Sequence, residues 1–284
     1  MFATNELPQR DNVVAENENH FSMEFERVNM NSQALNAGEL AARKTAGAGS
    51  SRKVLQILFA FSEHRREATV AELAEIIGAP VPTAYRHVAL LKELQLLEEG
   101  RTGKYHPTAR VMPLARAAQL ANDVARIARP VVAETSARLR ETVMLMQHFG
   151  DSAVCIERTE CDRPMRFTFQ RGHSIPLGIG ASGRMVLASL SPEAQTARIA
   201  ELNSPGLPQD LANVAARQYA TSNSEVDEGV WACSVPVLID RGRPVVLTVA
   251  GPAARISDTA KDDALDTLRT NAQRIRQEYE TYGL

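Results

Sequence analysis

Hydrophobic and polar positions along the chain fall into three regimes. Residues 1–48 show scattered Asn and Glu with no sustained apolar period, and lead into the flexible Thr45-Ala-Gly-Ala-Gly-Ser-Ser51 run. That pattern predicts a disordered tail, with at most a short helix at 39–44. From Ser51 helical spacing begins: Val54, Leu55, Leu58 and Phe61 predict a helix of about ten residues behind a serine cap. A second helix opens at Thr69, with Glu72 three residues on as a capping box and Val70, Leu73, Ala74 and Ile77 as its apolar face. Gly78 supplies its left-handed stop. Pro80 and Pro82 suit the first turn of a third helix, whose buried side is Ala84, Val88, Leu91 and Leu94. Two short strands follow, around a turn punctuated by Gly100 and Gly103. Helix, helix, turn, helix, hairpin is the order of a winged helix-turn-helix, here spanning 49–108.

Residues 109–128 carry Met112, Ala115, Leu120, Val124 and Ile127 and predict a linker helix that stops before Pro130. Beyond it the period keeps switching. Helices are expected at 131–141, 181–190, 192–202, 211–219 and 257–279. Strands are expected at 143–148, 153–158 and 165–170, with a hairpin of 230–239 and 245–250 turning at Asp240-Arg-Gly-Arg243. Strands mixed with helices describe an α+β domain over 129–284 with a mainly antiparallel sheet. No internal repeat is present.

Composition narrows the class without naming it. At 44% hydrophobic and 23% charged, the chain is ordinary globular material. The longest nearly apolar runs, 230–239 and 245–254, reach only about half a membrane span. Residues 1–9 lack the basic start and apolar stretch of a signal peptide, and three cysteines form no disulfide framework, so a cytoplasmic setting is expected. The formal charge of -2 hides an uneven distribution: residues 50–130 carry net +4, between flanks of -3 each. A modest positive field over the winged-helix segment points to DNA.

A helix-turn-helix requires a small residue in its second helix and a glycine four positions later, because the two helices cross closely at the turn. Ala74 and Gly78 have that spacing. The solvent side of the third helix is expected to carry Thr83, Tyr85, Arg86 and His87, with Lys92 a turn further. Hydroxyls can bond phosphates or bases, and Arg86 can make the bidentate guanine contact in a major groove. Arg101 and Lys104 at the hairpin tip suit a wing against the backbone, and Arg52 and Lys53 add phosphate contacts. The bland alternative is a solvated basic face on a protein-interaction module.

Four segments in order resemble the IclR family of bacterial transcriptional regulators: Ser51-Arg-Lys-Val-Leu-Gln-Ile-Leu58; Thr83-Ala-Tyr-Arg-His-Val-Ala-Leu-Leu-Lys-Glu-Leu94; Gly172-His-Ser-Ile-Pro-Leu-Gly-Ile-Gly-Ala-Ser-Gly-Arg-Met-Val-Leu-Ala188; and Glu228-Gly-Val230 through Pro236-Val-Leu-Ile-Asp240 to Ala250-Gly-Pro-Ala-Ala-Arg255. The resemblance covers about 50–284. It implies a repressor with a GAF-like effector domain, acting as a homodimer or homotetramer on double-stranded operator DNA. The effector pocket it implies is lined by Phe167, Ile175, Val230 and Ala232. Its polar end is the backbone N–H groups of Ala181 and Ser182, with Thr248 and Ala250 on the far strand. Those amides open a helix, where orphan donors and the dipole favour an anion. Ser222 stands where some members place an acid, and alanines replace polar or thiol side chains. A roomier, more apolar cavity follows, suited to an aromatic or medium-chain organic acid. No cofactor is expected. Trp231 should face away from Val230 and Ala232.

Two readings compete. Cys155, Cys161 and Cys233, with His148 or His173, would make a thiol- or zinc-dependent enzyme or metal sensor, yet their spacing matches no metal or catalytic pattern. Gly178-Ile-Gly-Ala-Ser-Gly183 lacks the Lys-Ser/Thr of a phosphate loop. An architectural DNA protein would have no use for an effector-sized second domain.

Overall fold

A computed structural model describes residues 47–62, 65–164, 166–239 and 243–282. The tail expectation for 1–46, the short helix at 39–44 and most of the 240–243 turn lie outside these residues.

The N-terminal unit begins with α1 (Gly49–Phe59), α2 (Val70–Ile76) and α3 (Val81–Glu93). Two strands, β1 (Leu97–Glu99) and β2 (Tyr105–Pro107), pair antiparallel as the wing. The capping box forms as expected: Thr69 N–H donates to Glu72 Oε2 at 2.7 Å and Glu72 N–H to Thr69 Oγ1 at 3.3 Å. Gly78 adopts φ +54° and lets the chain reverse into α3. α1 departs from expectation. It starts at Gly49 without a serine cap, and its buried stripe is Gln56, Ile57 and Ala60, whereas Leu55 and Phe59 are 52% and 60% exposed. Ile57 and Ala60 lie at the centre of the three-helix core and the expected Val54, Leu58 and Phe61 pack against it half-buried, so of the expected positions only Leu55, with Phe59 one turn on, is turned outward. Leu94, expected inside, is also exposed.

The expected single linker helix is two helices. A 3-10 turn at Ala109–Val111 leads into α4 (Met112–Leu120), and α5 (Asp123–Leu139) then starts afresh. Asn122 leaves the helical region (ψ 94°) and its side chain accepts the Ala125 N–H at 3.0 Å, which makes it a new N-cap. Pro130 does not stop α5. It sits inside the helix on the exposed side, where water can satisfy the Arg126 carbonyl left without its usual donor.

The C-terminal domain is one sheet between two helical layers. Its strands are β3 (Thr142–Phe149), β4 (Ser152–Thr159), β5 (Ser174–Pro176), β6 (Ala220–Asn223), β7 (Val230–Val237) and β8 (Val245–Pro252). They pair antiparallel throughout, in the order β5-β4-β3-β8-β7-β6. The expected strand at 165–170 is absent from 166–170. The edge it would have occupied is taken by β5, and Phe167 is held in an irregular segment by the Thr142 hydroxyl, which donates to its carbonyl at 2.5 Å. One sheet face packs on α5 and on α9 (Asp258–Thr281), through Val131, Val132, Val143, Leu247, Leu268 and Ile275. The opposite face meets α6 (Gly180–Ala188) and α8 (Leu207–Arg217), with α7 (Pro192–Leu202) beside them.

Candidate functional sites: a DNA-reading helix and a hydroxyl-floored helix start

Pro82 in the first turn and the Ala84, Val88 and Leu91 stripe hold α3 against α1 and α2. Its outward face carries Tyr85, which is 56% exposed, and Arg86, with Thr83 half-buried at the helix start. Arg52 is half-buried on α1, and Arg101 is exposed in the wing turn. One expected contact residue is turned away from solvent, and three expected lysines already have partners. His87 is 7% exposed, packed inward rather than toward solvent, and its Nε2 has no partner among the described residues. Burial, then the nearby Lys53 and Arg86 charges, hold its pKa below the usual imidazole value. Lys92, on α3, is bound by Glu99 at 2.9 Å and Lys104, in the wing, by Glu67 at 3.0 Å, so both charges are already shared. Lys53 donates to the Gly78 carbonyl at 3.3 Å, across the turn of the motif. Among the described residues, the expected cations with no such partner are Arg52, Arg86 and Arg101.

In the C-terminal domain, strand alternation and register bring the expected effector residues onto one face. One row across the sheet reads Thr142, Ala250, Ala232, Ser222, and the next reads Met144, Thr248, Ser234, Ala220. Phe167, Ile175, Ala181, Val230, Ala232 and Ala250 pack in or against a single cluster there. Trp231 belongs to the opposite face, as the period-two pattern requires. Above the rows sits the start of α6. Ser182 is buried and its Oγ lies 2.9 Å from Thr248 Oγ1, which in turn lies 2.8 Å from Ser234 Oγ. Three hydroxyls thus form a closed triangle that fixes α6 to the floor, completed by the 3.3 Å Ser182–Ser234 contact. Phe167, Phe169 and His173 stack in sequence as one wall, with ring centroids 5.8 Å and 4.0 Å apart.

α6 approaches its neighbours closely because Gly183 has no side chain. A Cβ there would lie 2.3 Å from the Pro176 carbonyl oxygen. Gly180, at φ +61°, opens the helix and donates its N–H to Glu225 Oε2 at 3.2 Å. Glu225 is also gripped at two points by Arg184, which reaches the Thr221 carbonyl as well and lies 3.1 Å from Asp210. Ser234, Arg184 and Glu225 are absent from the sequence-derived site. Ser234 was legible from alternation with Ala232; the Arg184–Glu225 pair, 41 residues apart, had no local signal.

The cysteines do not form a reactive centre. All three are buried and free, and burial pushes the Cys155 and Cys233 thiols up to about 12. Among the described residues, no three His, Cys, Asp or Glu side chains gather as a metal-holding group. No described helix is long and apolar enough to cross a membrane.

A winged helix-turn-helix joined by a helical linker to an α+β domain is the architecture of a DNA-binding transcription regulator. The comparisons agree. The profile described as "IclR helix-turn-helix domain" matches residues 50–101, and "Bacterial transcriptional regulator IclR C-terminal" matches 117–277. The chain belongs to the IclR family of bacterial transcriptional regulators. It is 28% identical over 226 residues to the probable transcriptional regulator SauR of Cupriavidus necator, covering 75% of this chain and 88% of that one. It is 29% identical over 237 residues to the regulator KdgR of Dickeya chrysanthemi, covering 78% and 77%. Among solved structures, an IclR-family regulator from Brucella abortus superposes with TM-score 0.75 at 20% identity, over 86% of this chain and 97% of that one. An IclR homologue from Microbacterium hydrocarbonoxydans, complexed with 4-hydroxybenzoate, gives TM-score 0.59 at 19% identity, over 82% and 98%. These relatives and domains are those of transcription regulators, not enzymes.

Proposed function

We propose that the protein is a repressor that reads a pseudo-palindromic operator as a homodimer or tetramer and releases it when the C-terminal domain takes up a small organic acid. The observation that carries this reading is the start of α6, an anion-favouring helix end set against alanines and hydroxyls of the sheet. Phe167, Ile175, Val230, Ala232 and Ala250 would hold the body of the ligand. The amides of Ala181 and Ser182, with Ser222 and Thr248, would take its polar end. The stacked Phe167–Phe169 wall favours an aromatic acid over a two- or three-carbon one. The neighbour holding 4-hydroxybenzoate lends support from a similar fold, and relatives in Escherichia coli are named repressors. Arg52, Lys53, Thr83, Tyr85, Arg86, Lys92, Arg101 and Lys104 would contact DNA, and His87 would support α3 from inside. Leu55, Phe59, Met112, Leu114 and Leu120, all exposed, supply apolar surface for self-association.

The test is fluorescence anisotropy of the full chain on DNA from upstream of its own gene, with and without a panel of aromatic and aliphatic acids that includes 4-hydroxybenzoate. At least one acid should weaken specific binding by roughly 5–150-fold. No preference for that DNA over random sequence would sink the operator reading, and no response to any acid would sink the effector reading.

A further inference from the structure

The start of α6 already holds a carboxylate, and it belongs to the chain itself. Glu225 lies in the 224–229 loop, which joins β6, carrying Ser222, to β7, carrying Val230 and Ala232. Its Oε2 accepts the Gly180 N–H, and its two oxygens take the two terminal nitrogens of Arg184. The next residue, Val226, packs so tightly over Gly180 that a Cβ there would come within 2.7 Å of its methyl group. The loop is shaped to stay down. Ser224 and Gly229 take left-handed φ of +57° and +70°, the Ser224 N–H donates to the Val230 carbonyl at 2.8 Å, and the Ser224 hydroxyl accepts the Gly229 N–H at 3.0 Å.

We infer that Glu225 is a specificity-determining residue, an internal anion that competes with an effector's carboxylate for the α6 start and Arg184, so that acid binding requires the 224–229 loop to lift. This rests on the organic-acid reading above. The electrostatics point one way. Arg184 is already shared by Glu225 and Asp210, so a further carboxylate arriving at the neighbouring Ala181 and Ser182 amides meets like charge at close range with no spare cation. Displacing Glu225 removes that repulsion and frees Arg184 to pair with the ligand. Because the same loop leads directly into Val230, lifting it also moves a residue that packs against the cluster under α6. A neutral ligand of the same shape gains nothing from the displacement. The pair therefore sets both how tightly acids bind and how strongly acids are preferred over neutral analogues.

The test compares wild type, Glu225→Gln and Glu225→Asp as full chains, titrated by calorimetry with 4-hydroxybenzoate and with its uncharged analogue 4-hydroxybenzamide. Hydrogen exchange of residues 180–184 and 224–230 is followed in parallel. Glu225→Gln should bind the acid about tenfold tighter, within the usual range of such couplings, and the amide unchanged. Glu225→Asp keeps the charge and should stay near wild type. Without ligand, exchange in 224–230 should be faster in Glu225→Gln. In wild type the acid should speed exchange in 224–230 while slowing it at 181–183. Equal or weaker acid binding by Glu225→Gln, or acid that further protects 224–230 in wild type, overturns the competition. Faster loop exchange in Glu225→Gln, with no acid bound by any variant, overturns the organic-acid reading and the competition with it.

Discussion

Gly183→Ala gives a prediction whose sign separates two accounts of the α6 start. In an ordinary exposed helix the change would stabilise, because alanine is preferred over glycine by about 1 kcal/mol. Here the new Cβ would sit 2.3 Å from the Pro176 carbonyl oxygen and 3.3 Å from its carbon, roughly 1 Å inside ordinary contact. The obstacle is the backbone of β5, held by pairing with β4, so it cannot swing aside like the end of a side chain. Overpacking of this kind costs about 1–3 kcal/mol, and an unyielding backbone puts it near the top of that range. Subtracting the helix preference leaves a net loss of about 2 kcal/mol. For a domain of this size that lowers the Tm by about 4–8 °C. Differential scanning calorimetry of wild type and variant reads it directly. Gly49→Ala serves as a control, since nothing lies within 4 Å of the Cβ it would add. It should leave Tm unchanged or slightly raised. A Gly183→Ala protein that melts at or above the wild-type temperature would refute the close approach of α6 to β5, and with it the geometry of the Ala181 and Ser182 amides.

Arg86→Ala should weaken operator binding by about 1–3 kcal/mol if it reads a base; equal loss on operator and random DNA would make it a phosphate contact. Glu157 is buried yet bonded by Arg129 of α5 and by Arg171, just before β5, at 2.8 Å each. Burial raises its pKa, but these bonds and the Arg158 N–H outweigh burial and hold the carboxyl below its usual range. Its contribution to stability is therefore full above the ordinary glutamate pKa and lost as pH falls through the lowered one. Glu157→Gln should cost about 1–3 kcal/mol at pH 7 and flatten acid unfolding below pH about 4.5, read by circular dichroism. For Cys155 and Cys233 the sign is opposite. Burial first of all raises both to about 12, so stability is full below the unfolded thiol pKa and falls as pH rises from about 9 toward 12. Double replacement by Ala should remove part of that alkaline slope, and an unchanged slope would count against their burial.

How much of this was readable from the sequence depends on the range of the interaction involved. The Thr69/Glu72 box, the Gly78 turn and the two faces of β7 are set by neighbours within a few residues, and each falls where spacing places it. In α1 the expected Val54, Leu58 and Phe61 do face the core, but Leu55 turns out and Ile57 takes the centre, because the exact rotation is decided by α2 and α3, not by the count of apolar residues. The linker break at Asn122 was signalled only by a capping residue inside an otherwise continuous period. The 165–170 segment alternates like a strand, yet tertiary competition gives the sheet edge to Ser174–Pro176. In the candidate site, the family resemblance named Val230, Ala232, Thr248 and Ala250, and period-two alternation is consistent with their sharing one face. Glu225 was invisible, because its partners Gly180 and Arg184 lie more than 40 residues earlier in the chain.

The two faces of the sheet constrain how a signal could leave the α6 side. The central strands contribute alternately to both, so Val230, Ala232 and Ser234 face α6 while Trp231, Cys233 and Val235 of the same strand pack on α5 and α9. That second layer is close-packed, and a close-packed layer passes on a shift of its strands rather than absorbing it. α5 is also the helix that follows directly on α4, the exposed linker, across the Asn122 cap. Glu157 adds a polar link in parallel, since its buried carboxylate is shared by Arg129 of α5 and by Arg171, which immediately precedes the Gly172–Ile175 stretch. A ligand that moved that stretch would pull on α5 through Glu157, and α5 restarts from the linker at the Asn122 cap, held by one 3.0 Å side-chain bond.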